Sequence, residues 1–145
     1  MIYLLDTNII SEVTKPAPDL GCEAWLEAHK EDCFLCSVTI SELRYGIERL
    51  PEGKRKAECE RDYQFMVEDY RGRFYEFDGP AAFEWGRYAA ELEAEHSDWW
   101  KHFDLRDTQI AAIAREYGLT IATRNGKHFP FCQTENPFQS EHAAS

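Results

Sequence analysis

The chain has 145 residues, 43% of them hydrophobic, which suits one globular domain with a sizeable core and excludes a disordered chain. Sixteen Lys and Arg against 27 Asp and Glu leave a formal charge of −11, so a general basic surface for nucleic acid is excluded. A polyanion remains workable as a substrate where a metal ion reverses the local field, and a basic protein partner suits the same charge.

Residues 2–5, Ile-Tyr-Leu-Leu, read as a short strand buried on both faces, as in parallel sheets. Thr7 or Asn8 is placed to cap a short helix behind it. Lys15-Pro16-Ala17-Pro18 breaks the chain, and Asp19 opens a helix to about residue 29 with Cys22, Trp25 and Leu26 as its apolar side. Residues 33–37 form a second apolar run. A helix over 38–50 follows, carrying Leu43, Ile47 and Leu50 at helical spacing. After the break at Pro51-Glu52-Gly53, residues 54–70 predict a charged helix, the most exposed element.

Residues 73–77, Arg-Phe-Tyr-Glu-Phe, alternate as a strand does. Gly79-Pro80 opens a helix from 81 to about 95, with Phe83, Tyr88 or Arg87, Ala90 and Leu92 as a less regular stripe. Residues 97–102, with Trp99-Trp100, read as a loop; the two indoles suit packing better than base stacking. A helix over 105–117 is closed by Gly118. Residues 119–123 read as a strand, Asn125-Gly126 as a turn, and 129–138 as holding a short last strand. Residues 1–138 thus form the domain, and 139–145 a polar, frayed tail. Strands alternating with helices predict an α/β fold with a mainly parallel sheet, whose crevice lies at the carboxyl ends of the strands.

The five cysteines (Cys22, Cys33, Cys36, Cys59 and Cys132) are odd in number and irregularly spaced, which points to a reducing compartment, the cytoplasm. Cys33-x-x-Cys36 has zinc spacing but lacks a second pair. No stretch approaches the ~20 apolar residues of a membrane span, and the amino-terminal run lacks the basic start of a signal peptide. Glycine-rich phosphate loops and nucleophile-elbow serines are absent from the sequence.

Four residues stand out for chemistry. Asp6 directly follows the first strand, at the expected crevice; a carboxylate there is a helix cap or a cation ligand. Helical steps back from Tyr117, Ala114 and Ile110 reach Asp107, so this acid points inward at a helix start. Asp104, one turn earlier, is free to be the cap. Glu42 lies at the edge of a buried stripe, where a solvated pairing with Arg49 is the plain account, and Asn125 follows a strand end. Taken together, oxygen ligands without His or Cys suit Mg²⁺ or Mn²⁺ and metal-assisted phosphoryl chemistry.

Leu4-Leu5-Asp6-Thr7-Asn8-Ile9-Ile10-Ser11-Glu12 resembles the opening of PIN-domain nucleases, in particular the VapC/FitB-type toxin ribonucleases of toxin–antitoxin modules. Ser41-Glu42-Leu43-Arg44-Tyr45-Gly46-Ile47 is similar to that family's second acidic motif, and Asp107-Thr108-Gln109-Ile110-Ala111-Ala112-Ile113-Ala114 to its third. Residues 118–125, then Phe129 and Asn136-Pro137-Phe138, match its closing segment. Four motifs in this order span nearly the whole chain.

The resemblance implies a Rossmann-like, three-layer fold with four or five mainly parallel strands flanked by helices. It implies Mg²⁺, or alternatively Mn²⁺, held by Asp6 and Asp107 with Glu42 direct or through water, and endonucleolytic hydrolysis of RNA. Many relatives carry a fourth acid where this chain has Asn125, which orients groups but adds no charge; Asp104 is a candidate replacement. The resemblance further implies an antitoxin laying a basic carboxy-terminal segment in the crevice, homodimerisation, a toxin–antitoxin hetero-oligomer, and promoter DNA bound only through the antitoxin. Two other classes fit parts of the pattern. One is a non-catalytic PIN-like module binding RNA or protein, and the other a small-molecule phosphatase, which Asp-Thr-Asn in place of a paired-Asp start disfavours.

Overall fold

In the computed structural model, which describes residues 1–138, the apolar opening run becomes β1 (Tyr3–Leu5), buried throughout, while Ile2 stays exposed. There follow α1 (Thr7–Val13), α2 (Leu20–His29), β2 (Cys33–Cys36), α3 (Ser37–Glu48), α4 (Lys54–Asp69), β3 (Phe74–Tyr75), α5 (Gly79–Glu95), α6 (Leu105–Tyr117), β4 (Thr120–Ala122) and β5 (Thr134–Glu135). The tail expected over 139–145 lies outside the described residues. The strands form one sheet in the order β3-β2-β1-β4-β5, and every pairing is parallel. From the central β1 the chain builds outward on one side through β2 and β3, then on the other through β4 and β5. The order therefore reverses at β1, and the crevice expected of such a sheet opens past the ends of β1 and β4.

Strand alternation divides the core into two layers. Leu4 and Ile121 face one way, against Tyr88 and Leu92 of α5 and Ile110, Ala111 and Ala114 of α6. Tyr3, Leu5, Leu35 and Ala122 face the other way, against Ile9 and Ile10 of α1, Cys22 of α2, and Tyr70. The helix α4 has no buried residue, as its charge predicts. None of the described helices is long and apolar enough to cross a membrane.

Four of the helix starts are set by aspartates. Asp19, Asp78 and Asp104 cap α2, α5 and α6 through side-chain bonds to free N–H groups. The cap of α1 is Asp6, not Thr7 or Asn8, which are already helical. Gly118 closes α6 at φ 67°, a left-handed conformation that favours glycine.

Two expectations change. The buried face of α5 is Ala81, Glu84, Tyr88, Ala89 and Leu92, while Phe83 is 73% exposed. The sequence stripe is misleading because Glu84 lies on the buried face, where Arg115 of α6 neutralises it at 3.0 Å. The segment with the two tryptophans contains a 3₁₀ turn, Trp99–Lys101. Trp99 packs on the core and against Trp85, whereas Trp100 is exposed.

Candidate active site

Parallel pairing of Leu5 with Ala122 sets the next residues of the two strands, Asp6 and Thr123, side by side at the carboxyl edge. The Asp6 N–H continues the ladder to the Ala122 carbonyl at 3.0 Å. Its side chain is only 7% exposed with its backbone and accepts from three donors. These are the Thr7 N–H at 2.8 Å, the Thr123 hydroxyl at 2.8 Å and the Asn8 amide at 3.2 Å. Asp6 is therefore both the helix cap and the carboxylate at the crevice. Burial nonetheless raises its pKa, against the lowering effects of Thr123, Thr7 and His128.

Thr123 Oγ1 is the hub of this corner. It donates to Asp6, and it accepts from the Asn125 N–H at 3.0 Å and from Asn8 Nδ2 at 3.4 Å. Asn8 Oδ1 in turn accepts from the Arg124 N–H at 3.3 Å. Asn125 thus joins the site through its backbone, at the start of the 3₁₀ turn Gly126–His128.

Asp107 stands in the first turn of α6, three residues after its cap Asp104. Burial, and then the charges of Asp6, Asp104 and Glu42, push its pKa up to about 7 against the pull of Arg106. The His128 imidazole lies 3.7 Å away, with Nδ1 facing Asp107 Oδ2. Glu42, on α3, accepts from the Thr7 hydroxyl at 3.2 Å through Oε2. Its Oε1 is buried with no partner among the described residues. Burial chiefly raises its pKa; Arg106 opposes this, and Asp6 and Asp104 add to it. Arg49, the pairing considered from the sequence, instead stacks over Tyr45 at 5.6 Å.

Asp107 therefore feels the charges of Asp6, Asp104 and Glu42, and Glu42 those of Asp6 and Asp104. Sequence reasoning missed Thr123 and Asn8 as supports, and the His128 imidazole and the Arg106 guanidinium as flanking groups. One signal was available: Thr123 follows its strand as Asp6 follows β1.

The donor set fits a hard divalent cation. An orphaned buried carboxylate oxygen and a carboxyl raised to about 7 are both relieved by positive charge. Among the described residues no group of three or more His, Cys, Asp or Glu side chains is arranged to hold a metal ion; Mg²⁺ asks less of the protein, taking one or two carboxylates and keeping several waters. Cys33 and Cys36 are buried free thiols, Cys33 pushed up to about 12 by burial, so neither offers a ready thiolate.

Comparison with known proteins identifies this architecture. The PIN domain family profile matches residues 3–134. The chain belongs to the PIN domain family. It is 37% identical over 130 residues to the toxin FitB of Neisseria gonorrhoeae, covering 88% of this chain and 91% of FitB. Against the VapC ribonuclease Y4jK of Sinorhizobium fredii the identity is 35%, covering 88% and 90%. A solved structure of FitAB bound to an IR36 DNA fragment superposes with a TM-score of 0.83 at 33% identity, covering 94% of this chain and 95% of that one. The PIN fold thus accounts for the five-stranded parallel sheet flanked by helices.

Proposed function

We propose that this PIN-domain protein is the toxin of a toxin–antitoxin module and acts as an endoribonuclease dependent on Mg²⁺ or Mn²⁺. The observation that carries the reading is the carboxylate cluster itself: burial raises Asp6, Glu42 and Asp107, the charges of neighbouring acids raise Glu42 and Asp107 further, and Glu42 Oε1 is buried with no partner among the described residues. The names of the relatives, a toxin and a ribonuclease, support it. Asp6 and Asp107 would hold the ion, with Glu42 direct or through water. Bound there, the ion supplies an activated water at neutral pH and offsets charge on the phosphate oxygens.

The chain's own residues do the rest. Thr123, Asn8 and the Thr7 N–H fix the rotamer of Asp6. Thr7 Oγ1 orients Glu42. Asn125 contributes orientation of water or of a neighbouring carboxylate without adding charge. The free crevice carries excess negative charge, which suits an antitoxin segment rich in Arg that pairs with these carboxylates. A homodimer, a toxin–antitoxin hetero-oligomer and promoter contact through the antitoxin complete the proposal.

The test is cleavage of total and structured RNA by purified protein in Mg²⁺, Mn²⁺ or EDTA, with Asp107→Asn prepared in parallel. We expect metal-dependent cleavage that falls at least about a thousandfold in the variant, the scale on which removal of central catalytic groups acts. Cleavage by Asp107→Asn at the parental rate would sink the site assignment. Absence of cleavage with every metal, alongside retained RNA binding, would replace the enzyme with a binding module.

A further inference from the structure

Arg106 is the second residue of α6, between the cap Asp104 and the inward Asp107. Its backbone N–H donates to Asp104 Oδ1 at 2.8 Å, and its Nε lies 3.4 Å from the same oxygen. The guanidinium is thereby tied at one edge. Neither of its terminal nitrogens has a hydrogen-bond or ion-pair partner among the described residues. The side chain is 48% exposed, yet its charge reaches inward to both Glu42 and Asp107.

Three other arginines spend their outer nitrogens within the fold. Arg44 bridges Glu48 and Glu60, Arg115 bridges Glu84 and Glu91, and Arg73 donates to the backbone carbonyls of Lys30, Cys33 and Asp69. Arg106 is anchored by a cap and leaves its two outermost donors open beside the carboxylates. A phosphodiester approaching these acids is repelled by them, and one divalent ion offsets only part of their charge. An anchored guanidinium with two free N–H edges matches the paired non-bridging oxygens of a phosphate.

We propose that Arg106 is a substrate-binding residue whose two free guanidinium nitrogens hold the scissile phosphodiester of RNA against the Asp6–Glu42–Asp107 site. The proposal rests on the ribonuclease reading for its substrate. The Asp104 carboxylate acts as a positioning residue, fixing Nε while the outer nitrogens face the ligand. If Arg106 merely neutralised its acidic neighbours, its removal would tighten divalent-ion binding and leave RNA contact unchanged.

The experiment compares the parent, Arg106→Ala and Arg106→Lys. A fluorescein-labelled single-stranded RNA of mixed sequence is titrated in EDTA across about 50–200 mM salt. The same RNA is then cleaved in Mn²⁺, and Mn²⁺ affinity is measured separately without RNA. For Arg106→Ala we expect weaker RNA binding, with a log–log salt slope reduced by about 0.7, the change for one lost phosphate contact on a single strand. Cleavage should fall roughly a hundredfold, as when one donor to a transition-state oxygen is removed, with Mn²⁺ affinity unchanged or tighter. Arg106→Lys should restore the salt slope but recover only a minor part of the cleavage, since a point charge lacks the two-point fit.

Parental salt slope in Arg106→Ala, cleavage within about twofold of the parent, or a loss matched entirely by weaker Mn²⁺ binding overturns the proposal. Should the parent bind RNA without cleaving it, the ribonuclease reading fails while the salt slope still decides the Arg106 contact. A parent that neither binds nor cleaves RNA overturns both.

Discussion

Two of the places where the molecule buries acids are treated oppositely. Between α5 and α6, Glu84 is 8% exposed, but Arg115 meets it at 3.0 Å, also pairs with Glu91, and lies 5.1 Å over the Tyr88 ring. Every charge there has an opposite. At the carboxyl edge of β1 and β4, Asp6, Glu42 and Asp107 gather with Asp104; Arg106 opposes Glu42 and Asp107, and His128 opposes Asp6, without cancelling the upward shifts. Folding alone gives no reason to converge like charges, since burial raises all three acids and neighbouring charge raises Glu42 and Asp107 further, which destabilises the ionised fold. The first region is what a stable helix pair requires; the second is what a cation and a phosphate require.

The sharpest way to break the comparison is to remove one charged partner from each region. Arg115→Ala leaves the buried Glu84 with the exposed Arg87, 3.9 Å away, as its remaining cation among the described residues, and should destabilise the fold by about 2–4 kcal/mol, discounted from fully buried pairs because the arginine is partly exposed. Divalent-ion affinity should stay at the parental value. Asp107→Asn should do the reverse, raising the melting temperature of the metal-free protein by a few degrees near pH 8. Chemical and thermal melts in EDTA check both signs. A destabilising Asp107→Asn would mean that the cluster is structural and the contrast false.

The same contrast predicts a pH dependence. The Asp107 carboxyl titrates near 3.8 when free and at about 7 in the fold, so between these values the native state binds more protons than the unfolded chain. Stability from this group is fully present below about pH 4 and is lost as pH rises through about 7. Asp6 and Glu42 are shifted in the same direction. Groups lowered elsewhere, such as Asp78 and Glu12, act oppositely. The clean measurement is therefore the difference in melting temperature between parent and Asp107→Asn in EDTA. That difference should be small below about pH 4, grow between about pH 4 and 7, and level off above it. A difference independent of pH would show that the carboxyl is already ionised throughout.

Much of this contrast was legible in the sequence, for reasons that also mark where legibility ended. Asp6 was found because a two-sided apolar strand ends at it, and Asp107 because helical steps from Ile110 and Ala114 place it inward. Glu42 was a weak signal by itself and gained meaning only beside the other motifs. Thr123 was unreadable as a partner because its bond to Asp6 spans 117 residues and depends on the β1–β4 register. The α5 stripe misled because periodicity counts Glu84 as solvent-facing, whereas an arginine on another helix makes its burial tolerable. Apolar pattern reports faces well and reports paired charges poorly.

The finest test acts on a single hydroxyl. Thr123 is fully buried, and Thr123→Val keeps its branched shape while removing the donor to Asp6 Oδ2. The Asn125 N–H also loses its acceptor. Stability should fall by about 1–2 kcal/mol, the usual cost of leaving a buried polar group unsatisfied. The more telling readout is metal affinity. Without the hydroxyl, Asp6 keeps the Thr7 and Asn8 donors but is less firmly oriented, and a proton competes better for its oxygen. Supporting groups of this kind change divalent affinity by roughly tenfold or more, so Mn²⁺ binding should weaken by about that factor. Thr123→Ser, which keeps the hydroxyl and loses a methyl, should weaken packing while leaving Mn²⁺ affinity nearer the parental value. If Val and Ser weaken the ion equally, the threonine matters to the site through packing, and the orientation of Asp6 is set by its helix cap alone.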